Sequence, residues 1–443
     1  MDKQLLLFLE LVVMFLTILL YRTSAHTCLK SSFIKLSQKT VLSNYKKTYF
    51  LRFIFALIFS WIWILIMASI PKNLNITKLI YLAQGWAPGA ELFQDSLVFG
   101  DAINCASRVD LFETNDCLSF KWNYPNYVSS MPPWQFWWIV YLILFFLSYV
   151  YVIIQIYGLL KKMKHNVLGM VLIISPPFLY AIERGSLDIQ VAAALFYLYK
   201  FNYKRLHLAT DRTSQKSIFA SSKVTLISCL IFTYLSIIKF YPIIFFVLAI
   251  FAVKKFSRVL VVVFFALNIV LSWLWLDAPK FLLINNPYND FLPIGALNYF
   301  RFVIEKPIIL VLLVAGLFII KKKGYKLSIL QTNSFNFFTY LPLLIFMSFW
   351  LIAGSASYRT IFLLVFLVLY RHERTMIKGT DNSTIKHNSS QDSEITFFII
   401  CILFTTGMPI ICNTLILFLF MKLTFPLILL FRARVKSNLF SKL

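Results

Sequence analysis

The chain has 443 residues, of which 60% are hydrophobic and 18% aromatic, and its formal net charge is +25. A soluble domain is nearer half apolar. Here apolar stretches of spanning length recur from end to end, which excludes an ordinary soluble enzyme and makes the bilayer the expected solvent. The charge does not point to nucleic acid, because the basic residues form no single stripe but sit in short loops between apolar runs, the pattern of the positive-inside rule.

In chain order, the first apolar run is 4–21. Only Met1-Asp2-Lys3 precedes it and no small-x-small cleavage site follows, so it reads as a retained span rather than a signal peptide. A basic segment leads to a second span, 50–70, and then to a polar loop, 71–133. Further spans are read at 134–157, 167–182, 188–201, 224–238, 241–253, 258–276, 308–320, 337–353, 359–370, 396–412 and 414–431. The expected fold is all-α, a polytopic transmembrane bundle of about 12–13 spans with a large first outer loop. Three regions follow: 1–49 with the extra span and a basic loop, a core of 50–370, and 371–443 with a polar loop and the last spans. Several spans are shorter than the roughly 20 residues needed to cross, as helices lining a cavity can be. Pro176-Pro177, Pro242, Pro342 and Pro409 fall in or beside these short pieces.

Assigning the loops alternately to two faces tests this reading. Segments 22–52, 158–166, 200–223, 254–258, 321–326, 371–395 and 432–443 hold most of the 43 Lys and Arg, whereas most of the 18 Asp and Glu lie in the opposite set. A wrong span count would scramble the alternation beyond the error. The basic face is therefore read as cytoplasmic and facing anionic lipid, with the N-terminus outside and the C-terminus inside. Gly379 to Ser393 reads as a flexible cytoplasmic loop, so the Asn-x-Ser/Thr triplets at Asn382 and Asn388 lie on the wrong face for glycosylation. Of the six Cys, Cys229, Cys401 and Cys412 lie in spans as packing residues. Cys105 and Cys117 share the outer loop, where an oxidising compartment would allow them to pair. No zinc spacing is present.

The outer face collects the chemically capable residues. The first loop carries Glu91, Asp95, Asp101, Asp110, Glu113 and Asp116. Glu183-Arg184-Gly185-Ser186-Leu187-Asp188 is squeezed between two apolar runs, Lys239-Phe240-Tyr241-Pro242 interrupts another, and Tyr358-Arg359 opens a third. Ionisable residues in or beside spans are costly and are functional candidates. The competing explanation is snorkelling of a long basic side chain to the head groups, which suits Lys306 and Lys422 better than Arg184, with acids on both sides, or Lys239, with apolar runs on both sides. Three cations near one membrane surface suit an anion, above all a phosphate, and a carboxylate beside them suits a general base acting on a hydroxyl nucleophile. A phosphate above an apolar groove describes a polyprenyl-phosphate donor.

The order Phe99-Gly100-Asp101, Asn123-Tyr124-Pro125, Glu183 to Asp188, Lys239-Phe240-Tyr241-Pro242 and Tyr358-Arg359-Thr360-Ile361-Phe362-Leu363-Leu364 resembles the GT-C superfamily of membrane glycosyltransferases, within it the glycosyltransferase family 87 type, over roughly residues 50 to 370. The resemblance implies a multi-span enzyme of the bacterial plasma membrane. It would move a sugar from a polyprenyl-phosphate-linked donor to a glycan or glycolipid acceptor on the extracytoplasmic face. It implies Asp101 as base, with Asp95 or Asp110 as alternatives. It places Arg184, Lys239, Tyr241, Tyr358 and Arg359 at the donor phosphate, and Glu183, Asp188 and Asp110 beside sugar or acceptor. No cofactor is expected, no metal ligands are assigned, and the partners are these substrates and membrane lipids, not nucleic acid.

Two other classes compete. A polyprenyl-linked polysaccharide polymerase or ligase would carry an Arg-rich outer loop late in the chain, whereas the large loop here is early and acidic. A lipid or solute transporter would set charges along the depth of its path, whereas here they gather on one face. Reporter fusions test the orientation: one placed after Pro125 should read periplasmic and one after Lys200 cytoplasmic. The reverse result would overturn the orientation and the outer-face site with it.

Overall fold

The computed structural model describes residues 54–65 in part, 134–161, 166–208, 222–238, 244–252, 255–276, 337–352, 357–378, 385–404, 406 and 409–424. All regular structure among these residues is helical. The principal helices are α1 (Trp134–Lys161), α2 (Asn166–Ile173), α3 (Pro176–Glu183), α4 (Asp188–Leu208), α5 (Ser222–Ile238), α6 (Ile244–Ala252), α7 (Lys255–Leu276), α8 (Phe337–Ile352), α9 (Ile361–Lys378), α10 (Ile385–Phe404) and α11 (Pro409–Leu419). A 3₁₀ turn, Ser357–Thr360, leads into α9, and a π turn, Phe420–Thr424, closes α11.

One stretch, Ile139–Leu160 in α1, is long and apolar enough to cross a membrane, and shorter apolar stretches lie in α5, α7, α8 and α10. Their outer surfaces are not polar. Ile139, Ile143 and Leu147 on α1, Leu226, Leu230 and Tyr234 on α5, and Val259, Val263 and Val270 on α7 are exposed large hydrophobics at helical spacing. Exposed apolar stripes of this kind are what water disfavours and lipid does not.

The core is organised about α9. Every residue from Ile361 to Tyr370 is buried. A helix apolar on all sides must be surrounded, and α9 packs against α1, α3, α4, α8 and α10. Contacts at both ends define the helix directions. Tyr141, near the start of α1, donates its hydroxyl to the carbonyl of Gly185, just before α4, and the two helices pack along each other. The turn before α9 packs on α3, which leads directly into α4. At the far ends, the Tyr199 hydroxyl meets His372 Nδ1 at 2.8 Å. So α1, α4 and α9 run parallel, with Tyr141, Gly185 and Arg359 at one end and Lys161, Lys200 and Arg371 at the other.

Several boundaries differ from the sequence reading, among them the expected span 396–412, which ends as α10 at Phe404 before α11 begins at Pro409. The expected span 167–182 is two short helices, because Pro176 and Pro177 cannot donate to the preceding turn and instead occupy the first turn of α3, where no donor is needed. Ser175 at the break hydrogen-bonds back to the Leu172 carbonyl at 2.6 Å. The helices α4 and α9 run on past their apolar portions to Leu208 and Lys378, which moves a clean reporter junction from Lys200 to beyond Leu208. The polar segment read as a flexible loop enters α10 at Ile385, so most of 379–393 is not a loop. Polar residues are compatible with a helix once it is nucleated on its apolar half, Ile395 to Phe404. The hairpin expected at Lys239–Pro242 lies between α5 and α6, outside the described residues. Phe232 and Phe245 stack across those two helices with ring centroids 4.0 Å apart.

Truncation separates the core from the outer surface. Leu364→Ala, in the buried stretch of α9, should cost about 2–5 kcal/mol. Leu230→Ala, on the exposed face of α5, should cost little. Unfolding of both variants in matched lipid or detergent checks this, and equal losses would mean that α9 is not the core.

Candidate functional site

The most sharply defined local structure is the turn from α3 to α4. Arg184 closes α3 with its N–H donating to the Tyr180 carbonyl at 3.0 Å. Gly185 follows with φ 60°, the left-handed conformation that glycine adopts without a Cβ penalty. Its N–H reaches Ile182 O at 2.9 Å, and that of Ser186 reaches Ala181 O at 2.9 Å. This is the Schellman arrangement that satisfies the last carbonyls of a helix. The next helix starts at once. Asp188 N–H donates to Ser186 Oγ at 3.3 Å, and Ser186 Oγ donates to Asp188 Oδ2 at 3.2 Å. Ile189, Gln190 and Val191 N–H groups are taken by the carbonyls of Ser186 and Leu187.

Two helix ends are thereby compressed into six residues, which brings Glu183, Arg184 and Asp188 together. Glu183 and Asp188 are buried, at 1% and 0% exposure, and Arg184 is half-buried. The Arg184 guanidinium carbon lies 5.7 Å from the centroid of the Tyr180 ring, which steers the side chain along α3. Tyr141 from α1 clamps the turn through the Gly185 carbonyl.

The second element is the 3₁₀ turn Ser357–Thr360, which packs against α3 and α9. It carries Tyr358 and the half-buried Arg359 to the end of the bundle at which α3 delivers Arg184. The turn that carries Arg359 thus packs on the helix that Arg184 closes. Lys239 and Tyr241 lie outside the described residues, as do Asp95, Asp101, Asp110 and the pair Cys105 and Cys117. Among the described residues no group of three or more His, Cys, Asp or Glu gathers as metal ligands would. Of the cysteines in helices, Cys229 and Cys412 are buried and Cys401 is half-buried.

Sequence reasoning missed Tyr141 and Gln190, which look like filler within apolar runs. It also missed a second polar cluster at the opposite end. There His372, Glu373 and Arg374, at 1%, 8% and 8% exposure, continue α9. The His372 ring sits edge-on to Tyr199 and Tyr203, with centroids at 5.8 and 5.3 Å, and Arg374 Nε donates to the Tyr370 hydroxyl at 3.3 Å. These residues follow a long apolar run directly, so their register against α4 was invisible in one dimension.

The α3–α4 end sets the half-buried guanidinium of Arg184 beside the buried carboxylates of Glu183 and Asp188 in sequence, groups that can pair with an anion and with hydroxyls respectively. No family model, curated protein or solved structure matches the chain.

The turn itself is open to test. Gly185→Ala forces a Cβ into a left-handed backbone and should cost about 1–2 kcal/mol. Tyr141→Phe removes the clamp and should cost about 0.5–1.5 kcal/mol. A neutral effect of Gly185→Ala on thermal unfolding would contradict the positive φ.

Proposed function

We propose that the chain is a multi-pass membrane glycosyltransferase that moves a sugar from a polyprenyl-phosphate donor to a glycan or glycolipid acceptor on the extracytoplasmic face of a bacterial plasma membrane. The observation that carries this reading is the packing of the Arg359 turn on the helix that ends at Arg184. Two cations from distant parts of the chain thereby share one end of the bundle with two buried carboxylates. The exposed apolar stripes on α1, α5 and α7 fit a lipid surround. The same end of the central helices is poor in the Lys and Arg that mark a cytoplasmic face, and the other end is rich in them.

In this mechanism Asp101 removes the proton from an acceptor hydroxyl, and the freed oxygen attacks the anomeric carbon of the donor sugar. The bond from that carbon to the phosphate oxygen breaks, and the electron pair leaves with the polyprenyl phosphate. Attack opposite the leaving group inverts the configuration. Arg184, Arg359 and Lys239 stabilise the charge that grows on the departing phosphate, which is where fixed cations lower a barrier most. Tyr241 and Tyr358 hydroxyls add donors there. Glu183, Asp188 and Asp110 accept hydrogen bonds from sugar hydroxyls.

Asp101→Asn should abolish transfer while leaving expression and membrane insertion intact. Full transfer by that variant would remove the assigned base. Arg184→Ala should raise the donor KM by about tenfold or more, on the scale of one charge-assisted hydrogen bond, with a smaller effect on the acceptor KM. Glycan transfer from a polyprenyl-phosphate hexose by the purified protein in lipid provides both readings.

A further inference from the structure

Gln190 stands in the first turn of α4 and is 7% exposed. Its backbone N–H is committed to the Leu187 carbonyl at 2.9 Å, but its side-chain Nε2 has no hydrogen-bond partner. A buried amide donor without an acceptor is a cost that an apolar side chain of the same shape would avoid. The expense is conspicuous in this helix. From Ile189 to Tyr199 the only polar side chains are Gln190 and two tyrosines. We infer that Gln190 is a ligand-binding residue whose Nε2–H donates to a hydroxyl oxygen of a sugar ring seated across the head of α4, apart from the position of the phosphate.

This inference rests on the proposed glycosyl transfer and divides that site into two parts. The head of α4 is not an anion cradle. The N–H groups of Asp188, Ile189, Gln190 and Val191 are all taken by Ser186 and Leu187. The buried carboxylates of Glu183 and Asp188 would repel a phosphate placed against them. A neutral hydroxyl suits the same surroundings, because it can donate to a carboxylate and accept from an amide. Residues two apart on a helix project to different sides, so a ring that reaches both Asp188 and Gln190 lies over the helix end rather than along its flank. Arg184 lies along α3 over the Tyr180 ring, and Arg359 belongs to the 3₁₀ turn packed on α3, which leaves the phosphate to them.

The test uses the full chain in lipid nanodiscs and measures binding of polyprenyl phosphate and of its glucosyl, mannosyl and galactosyl phosphodiesters. The wild-type protein should bind one of the hexosyl lipids about five- to tenfold more tightly than polyprenyl phosphate, the scale of one added hydrogen bond. Gln190→Met, which keeps the shape and removes the donor, should bring that ratio close to one and leave polyprenyl phosphate affinity unchanged. Without ligand the variant should melt at or above the wild-type temperature. A retained hexose preference in Gln190→Met, a variant that melts lower, or no hexose preference in the wild type would each overturn the inference while leaving the phosphate site standing. Failure of the wild type to bind any of these lipids, polyprenyl phosphate included, would remove the proposed function and the inference together.

Discussion

The structure depends on one constraint: α9 has no side to give to solvent. Every residue from Ile361 to Tyr370 is buried, so the helix is stable only when neighbours cover it on all sides. The packing of α1, α3, α4, α8 and α10 around it is the response. Two of those neighbours, α1 and α4, follow its direction, and this parallel trio makes the ends of the bundle chemically unequal. Residues entering the three helices gather at one end and residues leaving them gather at the other.

The candidate site is a consequence of that arrangement. The turn before α9 must lie beside the turn before α4, because the two helices begin at the same end. The turn that carries Arg359 packs on α3, the helix that Arg184 closes, and this comes from helix packing and not from any local motif. The α3–α4 turn adds precision that helix packing alone lacks. Gly185 supplies the left-handed residue, Ser186 caps the next helix within two positions, and Tyr141 holds the carbonyl between them. A longer connection would let Glu183 and Asp188 separate. The six-residue turn keeps both carboxylates buried at the mouth of one helix and the end of another.

Much of this was legible in one dimension. Helical character followed from the apolar runs. The α3–α4 turn followed from the short charged segment Glu183 to Asp188 squeezed between two such runs. The break between α2 and α3 was not read from the sequence, where 167–182 stood as one span, although Pro176 and Pro177 cause it. The helical ends of α4, α9 and α10 were not legible, because Lys, Arg, Glu and His continue a helix as readily as they begin a loop. Hydropathy reports where apolar burial stops, not where backbone hydrogen bonding stops. Tyr141 and Gln190 were illegible for another reason. A hydroxyl or an amide inside an apolar run acquires meaning only from what packs opposite it, and for Tyr141 that is a carbonyl on a turn far along the chain.

The polar cluster at the other end of α9 completes the physical picture. A helix apolar on every side is free to slide and rotate within an apolar surround, since one buried leucine position is nearly equivalent to the next. Polar groups at its ends remove that freedom, because each has a restricted set of acceptable partners. At one end Arg359 sits in a turn held against α3. At the other, His372 meets the Tyr199 hydroxyl at 2.8 Å and packs edge-on against two tyrosine rings of α4, while Arg374 is fixed over Tyr370. Pinning α9 to α4 at Tyr199 sets the depth of Arg359 relative to Arg184 about 18–20 Å away, at 1.5 Å per helical residue. The cluster at Tyr199 and His372 thus fixes how far the turn before α9 stands from that end of α4.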